Sequence, residues 1–306
     1  MQKRPIVAVI VLNYHQDSVT QACLDSLQLL DDAKAEIHVV LVEIEGDAKQ
    51  DATLLHRFPS LHILHSENLG FSGGNNLGAE YALNELHAEY VMLLNNDTRV
   101  EKGLVAELLL EAEEHQTAPA LYCPKIYFEK GHEFHGSAYS AEEKGRVLWY
   151  AGGIVDMDNV YAWHRGVDEV DHGQFDVVQQ TMFATGCCLF FSKETWQKVG
   201  ELDVRYFLYS EDLDYSTRVL ELGGEIWYVP LAQVWHQNAG STAGSGSDTQ
   251  VYYQTRNRLI YGMQYAEMRT KFALVKEAMK MWKQGKLAEK EAVQDFFMRR
   301  FGQRRA

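Results

Sequence analysis

Apolar and polar positions in the first third of the chain follow two alternating rhythms. Ile6 to Leu12, Ile37 to Val42, Leu61 to His65 and Tyr90 to Leu94 are short, mostly aliphatic runs, the pattern of strands buried on both faces. Between them, Ser18 to Leu30, Asp47 to Phe58, Gly74 to Leu86 and Glu101 to His115 carry apolar residues at helical spacing. Continuous apolar strands joined by helices predict an α/β fold with a mainly parallel sheet flanked by helices. Such sheets bind ligands beyond the carboxyl ends of their strands. The residues after Leu12, Val42, His65 and Leu94 are therefore where chemistry is expected.

From Glu129 to Phe175 the periodicity weakens and Gly, His, Tyr and acids accumulate, predicting short strands and long loops. Regularity returns with apolar Thr185 to Phe191, helices over Lys193–Val199 and Glu211–Leu222, and a strand over Ile226–Val229. The small-residue run from Asn238 to Ser247 predicts a mobile loop or linker, and the pattern is helical from Gln250 onward. Met268, Phe272, Val275, Met279 and Trp282 form an amphipathic stripe flanked by Lys271, Lys276, Lys280, Lys283 and Lys286. That stripe is expected to pack on the body of the protein or on a second copy in a homodimer. A basic amphipathic helix also suits peripheral contact with a membrane.

Composition narrows the function classes. Of 306 residues, 29 are Lys or Arg and 43 are Asp or Glu, a net charge of −14 that argues against a nucleic-acid partner. The charge is uneven: from Ala266 onward six Lys and five Arg face four Glu and one Asp, a net of +6, leaving −20 on the remainder. An anionic ligand must then be met by a metal, a placed Arg or a helix N-terminus. Cys23, Cys123, Cys187 and Cys188 show no metal or disulfide spacing and read as small apolar residues of a reducing compartment, which predicts a cytoplasmic protein. Met1 to Pro5 with the following apolar run imitates a signal peptide, but the run is short and has no cleavage site; a buried strand is the better reading.

Four segments fall where such a sheet places ligand contacts. Glu67 to Gly78 is a Gly-rich turn entering a helix, suited to close backbone approach and anion binding, although it lacks the dinucleotide and P-loop patterns. Asn95-Asn96-Asp97 ends an apolar strand. Asp97 with Asn95 offers hard oxygens to a divalent cation, or else Asp97 or Thr98 merely caps the helix starting near Glu101. Tyr206 to Tyr215 sets aromatic residues before Glu211, Asp212 and Asp214, more acid than a helix start requires. A carboxylate against an apolar wall can act as a general base. Last, His236 precedes the small-residue run, and Tyr253, Arg256 and Asn257 follow it.

In order and spacing these segments together resemble the inverting family 2 glycosyltransferases of the GT-A fold, nearest the rhamnosyltransferase type. The resemblance spans about residues 5 to 262 and also includes Val9-Ile10-Val11-Leu12-Asn13-Tyr14. It implies a GT-A catalytic domain over residues 1–240, with a nucleotide-binding half to about 127 and an acceptor-side half from about 128. Residues 241–306 would form a flexible loop and basic amphipathic helices.

By position, the resemblance implies Asp212 as catalytic base with Glu211 beside it, and Asp97 and His236 as ligands of Mg²⁺ or Mn²⁺. Asn13, Glu43, Gly70, Asn76, Asn95, Asn96, Asp97, Tyr253 and Arg256 would hold the nucleoside-diphosphate sugar donor, Tyr253 and Arg256 by closing over its diphosphate. The acceptor would be a glycan or lipid-linked glycan of bacterial surface polysaccharide or glycolipid assembly, made in the cytoplasm or at the inner face of the plasma membrane. One segment departs from the family: Glu43-Ile44-Glu45-Gly46-Asp47 replaces the usual Asp-Asn-x-Ser-x-Asp and leaves the base open. Trp149, Tyr150, Gly152, Gly153, Trp163 and His164 suit either an acceptor wall or packing. Two other functions remain open at this point, a sugar-1-phosphate nucleotidyltransferase and a non-catalytic nucleotide-sugar binding module.

Overall fold

A computed structural model describes residues 4–48, 51–58, 60–238 and 246–305. The expected mobile run is thereby largely outside the described residues. The first half alternates β1 (Ile6–Asn13), α1 (Asp17–Leu27), β2 (Glu36–Ile44), α2 (Asp51–Arg57), β3 (Leu61–Ser66), α3 (Gly70–Asn84) and β4 (Tyr90–Asn95). Strands β4, β1, β2 and β3 lie side by side and parallel, as the aliphatic runs predict. Val7 to Val11, Val40 to Val42 and Val91 to Leu94 are almost wholly buried.

Next come β5 (Thr98–Val100), α4 (Leu104–Glu114), β6 (Ala120–Phe128), β7 (Leu148–Tyr150), β8 (Gly153–Asp156), β9 (Tyr161–His164), β10 (Gln179–Gln180), β11 (Cys188–Ser192), α5 (Lys193–Val199), α6 (Glu211–Glu221) and β12 (Glu225–His236). The main path of the ten-stranded sheet runs β10-β12-β6-β11-β4-β1-β2-β3, with β5 on β12 and β7 on β6. Strand β11 is antiparallel to both β4 and β6, so the parallel half joins a mixed half at this strand. Strands β8 and β9 form a separate hairpin within the loop-rich middle segment.

Two boundaries differ from the sequence pattern in ways that matter. The last strand does not stop at Val229: it crosses an irregularity between Val229 and Gln233 and continues to His236, pairing there with β5 and β6. Helix α4 begins at Leu104, behind Gly103, because Thr98 to Val100 form a strand first. Asp97 therefore sits in the tight turn from β4 to β5 and caps no helix.

The Gly-rich turn also has a physical explanation. Helix α3 starts at Gly70, and a Cβ on Gly78 would lie 2.3 Å from Ile10 Cγ2, so glycine lets the helix descend onto β1. Gly70 has φ +71° and packs so closely that a Cβ would be 2.4 Å from the carbonyl oxygen of Phe207.

Helices α7 (Asp248–Tyr265), α8 (Met268–Gln284) and α9 (Leu287–Phe297) complete the chain. Helix α8 buries Thr270, Leu274 and Ala278. Met268, Phe272, Met279 and Trp282 of the expected stripe are exposed, so they do not pack on the body of this chain. Both sets have helical spacing, but the buried one meets the body: Leu274 packs where a Cβ on Gly262 of α7 would lie 2.3 Å away, and Thr270 Oγ1 donates to the Asp158 carbonyl at 3.2 Å.

Candidate functional site

A cavity of about 1070 Å³ lies beyond the carboxyl ends of β1, β2 and β4, where Leu12, Ile44 and Leu94 to Asp97 line it. The registers of β12 with β5 pair His236 with Thr98, the residue after Asp97. The consequence is direct contact: His236 Nε2 lies 2.9 Å from Asp97 Oδ1, and Gln237 N–H donates to the Asp97 carbonyl at 2.8 Å. Both side chains are buried, and the second ring nitrogen of His236, Nδ1, has no hydrogen-bond partner. Trp149 stacks edge-on against the His236 ring at 4.6 Å. Asn95 and Asn96 line the same wall, and Asn96 is held by Thr20 Oγ1 at 2.9 Å.

No cluster of three or more His, Cys, Asp or Glu suited to a metal occurs among the described residues. A carboxylate beside an imidazole on the cavity wall is nevertheless a donor set that could hold a divalent cation, since such ions are often bound through one or two protein ligands plus substrate phosphates.

A second part of the wall is the loop before α6. Phe207, Tyr209 and Ser210 have φ of +63°, +69° and +72°, a conformation costly for non-glycine residues that must be held by contacts. Those contacts are present. Phe71 N–H donates to the Phe207 carbonyl at 2.7 Å, and Asn257 Nδ2 lies 2.8–3.0 Å from the carbonyls of Tyr206, Leu208 and Tyr209.

The strained turn delivers Glu211 and Asp212 to the cavity while Asp214 points away to Arg218, 2.8 Å distant, and to the Tyr265 hydroxyl. Asp212 Oδ2 accepts from Gly186 N–H at 2.9 Å and Oδ1 from Leu213 N–H at 2.8 Å. Burial raises the proton affinity of Asp212 despite these bonds. Glu211 is raised well above the ordinary range, first by burial and then by the charge of Asp212, and its Oε2 has no partner.

Several expected donor residues lie elsewhere. Asn13 and Glu43 bond each other at 2.8 Å behind the cavity wall, which Tyr14, Gln16 and Ile44 form in their place. Asn76 is a brace whose amide exchanges bonds with the backbone of Leu202 at 2.8 and 2.9 Å. Gly70 lines the cavity, but the N–H groups of Gly70 and Phe71, the first two of α3, already donate to Asn68 Oδ1 and the Phe207 carbonyl.

Arg256 departs most from expectation. It is fully buried, and its guanidinium donates to the carbonyls of Gly302 at 2.6 Å, Arg205 at 3.1 Å and Tyr206 at 3.0 Å. It cannot close over a ligand while it holds these groups. Tyr253 does reach the cavity, stacked on Phe207 at 5.4 Å.

Trp149 and His164 also line the cavity, whereas Tyr150 is core and Trp163 is exposed. Glu291, Gln303, Arg304 and Arg305 line it too, from the far end of the chain, and no local pattern marks them.

A family model described as "Glycosyltransferase like family 2" matches residues 4–262. An N-acetylglucosaminyl-diphospho-decaprenol L-rhamnosyltransferase of Mycobacterium tuberculosis is 41% identical over 253 residues, covering 78% of each chain. The low-salt glycan biosynthesis hexosyltransferase Agl10 of Haloferax volcanii is 23% identical over 255 residues, covering 83% of this chain and 74% of that one. Among solved structures, GalNAc-T7 with UDP, GalNAc and Mn²⁺ superposes with a TM-score of 0.60 at 12% identity, covering 85% of this chain. This chain spans about half, 51%, of that structure. The mannosyltransferase PcManGT of Pyrobaculum calidifontis, in complex with GDP-Man and Mn²⁺, gives 0.54 at 12% identity, covering 97% of this chain and 75% of that one. At that identity the two structures bear on the fold alone, which is GT-A.

Proposed function

Because the chain belongs to the family 2 glycosyltransferases, we propose that it is a metal-dependent inverting enzyme that moves a sugar from a nucleoside diphosphate to an acceptor hydroxyl. The observation that carries this reading is one cavity lined by both the Asp97–His236 pair and a buried, backbone-anchored Asp212. The acceptor oxygen bonds to the anomeric carbon as the bond from that carbon to the diphosphate breaks, the electron pair leaving with the diphosphate. Asp212 takes the hydroxyl proton, and its raised proton affinity suits that task. Gly186 and Leu213 hold the carboxylate in place, so it needs little reorganisation. Asp97 and His236 would hold the cation, which when bound neutralises charge on the diphosphate.

Single displacement uses no enzyme nucleophile and inverts the anomeric centre. Calorimetric titration and transfer assays with a panel of nucleotide sugars, with and without Mn²⁺, test the reading. Asp212→Asn is expected to lower transfer about 10²–10⁴-fold, the usual contribution of a general base, while donor binding persists. Full transfer by that variant would remove Asp212 from the role.

A specific observation also supports contact with an anionic membrane surface, which for this reading would be the inner face of the plasma membrane. No described helix is long and apolar enough to cross a membrane. Helix α8 nevertheless exposes Met268, Phe272, Met279 and Trp282 next to exposed Lys276, Lys280 and Lys283. Apolar rings among cations suit an anionic bilayer surface, and the mycobacterial relative is named for a diphospho-decaprenol acceptor. Phe272→Glu with Trp282→Glu is expected to abolish co-sedimentation with phosphatidylglycerol vesicles. If the same pair of substitutions instead dissolves a dimer in sedimentation velocity, the face belongs to a second copy.

A further inference from the structure

Arg304 and Arg305 are the only Lys or Arg residues among the described residues lining the cavity, whose acidic members are Asp97, Glu211, Asp212 and Glu291. A diphosphate entering those walls meets acidic side chains with few cations among them, and when the sugar leaves, the diphosphate gains one more negative charge. The residue expected to answer that charge, Arg256, is buried on backbone carbonyls. Its place in the fold shows what it holds: Arg256 Nη1 donates to the carbonyl of Gly302, and Gly302 N–H donates to the carbonyl of Arg205 at 3.0 Å.

The segment after α9 is thus pinned to the loop that carries Glu211 and Asp212. A second pin follows, because Arg304 N–H donates to the Tyr253 hydroxyl at 2.8 Å. The Arg304 guanidinium pairs with the Glu291 carboxylate and lies 4.8 Å from the centre of the Tyr252 ring. A guanidinium has five N–H donors, so one carboxylate leaves donors to spare. This segment lies outside the 4–262 span shared with the family.

We propose that the C-terminal segment is a strap that brings Arg304 to the donor diphosphate, with Arg305 beside it, and that buried Arg256 is a positioning residue acting through Gly302. The inference rests on the donor reading of the cavity and adds the group that meets the leaving charge. Charge-assisted Arg–phosphate bonds are short and directional, and a cation aimed at developing charge favours the transition state over the bound substrate. Arg304 therefore acts mainly on turnover and on diphosphate affinity, and less on the affinity of the sugar donor.

The test uses the full chain and its Arg304→Ala, Arg304→Lys and Arg305→Ala variants with Mn²⁺ present. Calorimetry compares uridine, thymidine and guanosine diphosphates with the matching monophosphates, and transfer assays give kcat and the donor KM. For Arg304→Ala the diphosphate is expected to bind about 10- to 100-fold more weakly, each tenfold being about 1.4 kcal/mol. Monophosphate affinity changes less than about twofold, and kcat falls more than KM rises. Arg304→Lys keeps the charge without the fork and recovers part of the loss.

Unchanged diphosphate affinity, equal loss for both nucleotides, or a gain in turnover that marks the strap as a plug would each overturn the proposal. Failure of every nucleotide to bind the unaltered chain would instead sink the donor reading beneath it. Normal diphosphate preference without sugar transfer would leave the strap standing and remove the transferase step.

Discussion

Glu211 puts a carboxyl where burial disfavours its charged form, and Glu211→Gln turns that into a measurement. Glu211 is 5% exposed, its Oε2 has no partner, and Asp212 and Asp214 add like charge. Leaving a buried polar group unpaired costs about 1–3 kcal/mol. Gln keeps the shape and removes the charge, so the variant is expected to be more stable by about that amount near neutral pH.

The pH dependence fixes the sign. In the folded state the proton affinity of Glu211 is raised above the ordinary value of 4.5. As pH rises from that value toward the folded pKa, the unfolded chain has released its proton while the folded chain retains it. Stability then falls with pH, by up to about 1.4 kcal/mol per pH unit for one such group. Below the unfolded value the neutral carboxyl carries no penalty; above the folded value the penalty is complete and the slope vanishes. Urea melts of both proteins from pH 5 to about 9 read this directly: the two stability curves should converge at the acid end and separate as pH rises. Transfer by the variant should fall, because stabilising a strained, charged site commonly lowers activity. Parallel curves with no gain at neutral pH would refute a buried, charge-disfavoured Glu211.

Other substitutions test the site from different sides. Gly70→Ala puts a Cβ 2.4 Å from the Phe207 carbonyl oxygen at φ +71°. It should cost about 1–3 kcal/mol in a thermal melt and lower kcat by shifting the turn that carries Asp212; a melt and kcat matching the unaltered chain would show that the turn tolerates displacement. Asp97→Asn and His236→Ala should each raise the Mn²⁺ concentration needed for half-maximal transfer by at least about tenfold, the loss that even outer-shell partners produce. An unchanged Mn²⁺ titration in both variants would take the cation away from this corner.

What sequence pattern reveals about this site depends on how local the deciding contacts are. Strands β1, β2 and β4 are visible as aliphatic runs, and their ends lead directly to Leu12, Ile44 and Asn95 to Asp97 on the cavity wall. His236 is visible as the polar end of an apolar segment, although its pairing with Asp97 follows from the β12–β5 register, which no run of residues displays. Arg256 reads as an available cation because its neighbours in sequence are aromatic and polar. Its actual partners are carbonyls 46, 50 and 51 positions away, present only once the Tyr206 turn and the C-terminal segment have closed around it. Periodicity fails on α8 for a related reason: two stripes share one helix, and the buried one is set by contacts with Gly262 of α7 and with Asp158, 112 positions from Thr270. The same long-range closure that hides Arg256 carries Arg304 into the cavity. A cation placed by three separate elements has no local signature, so a search for the group that meets the diphosphate must begin from the folded cavity wall.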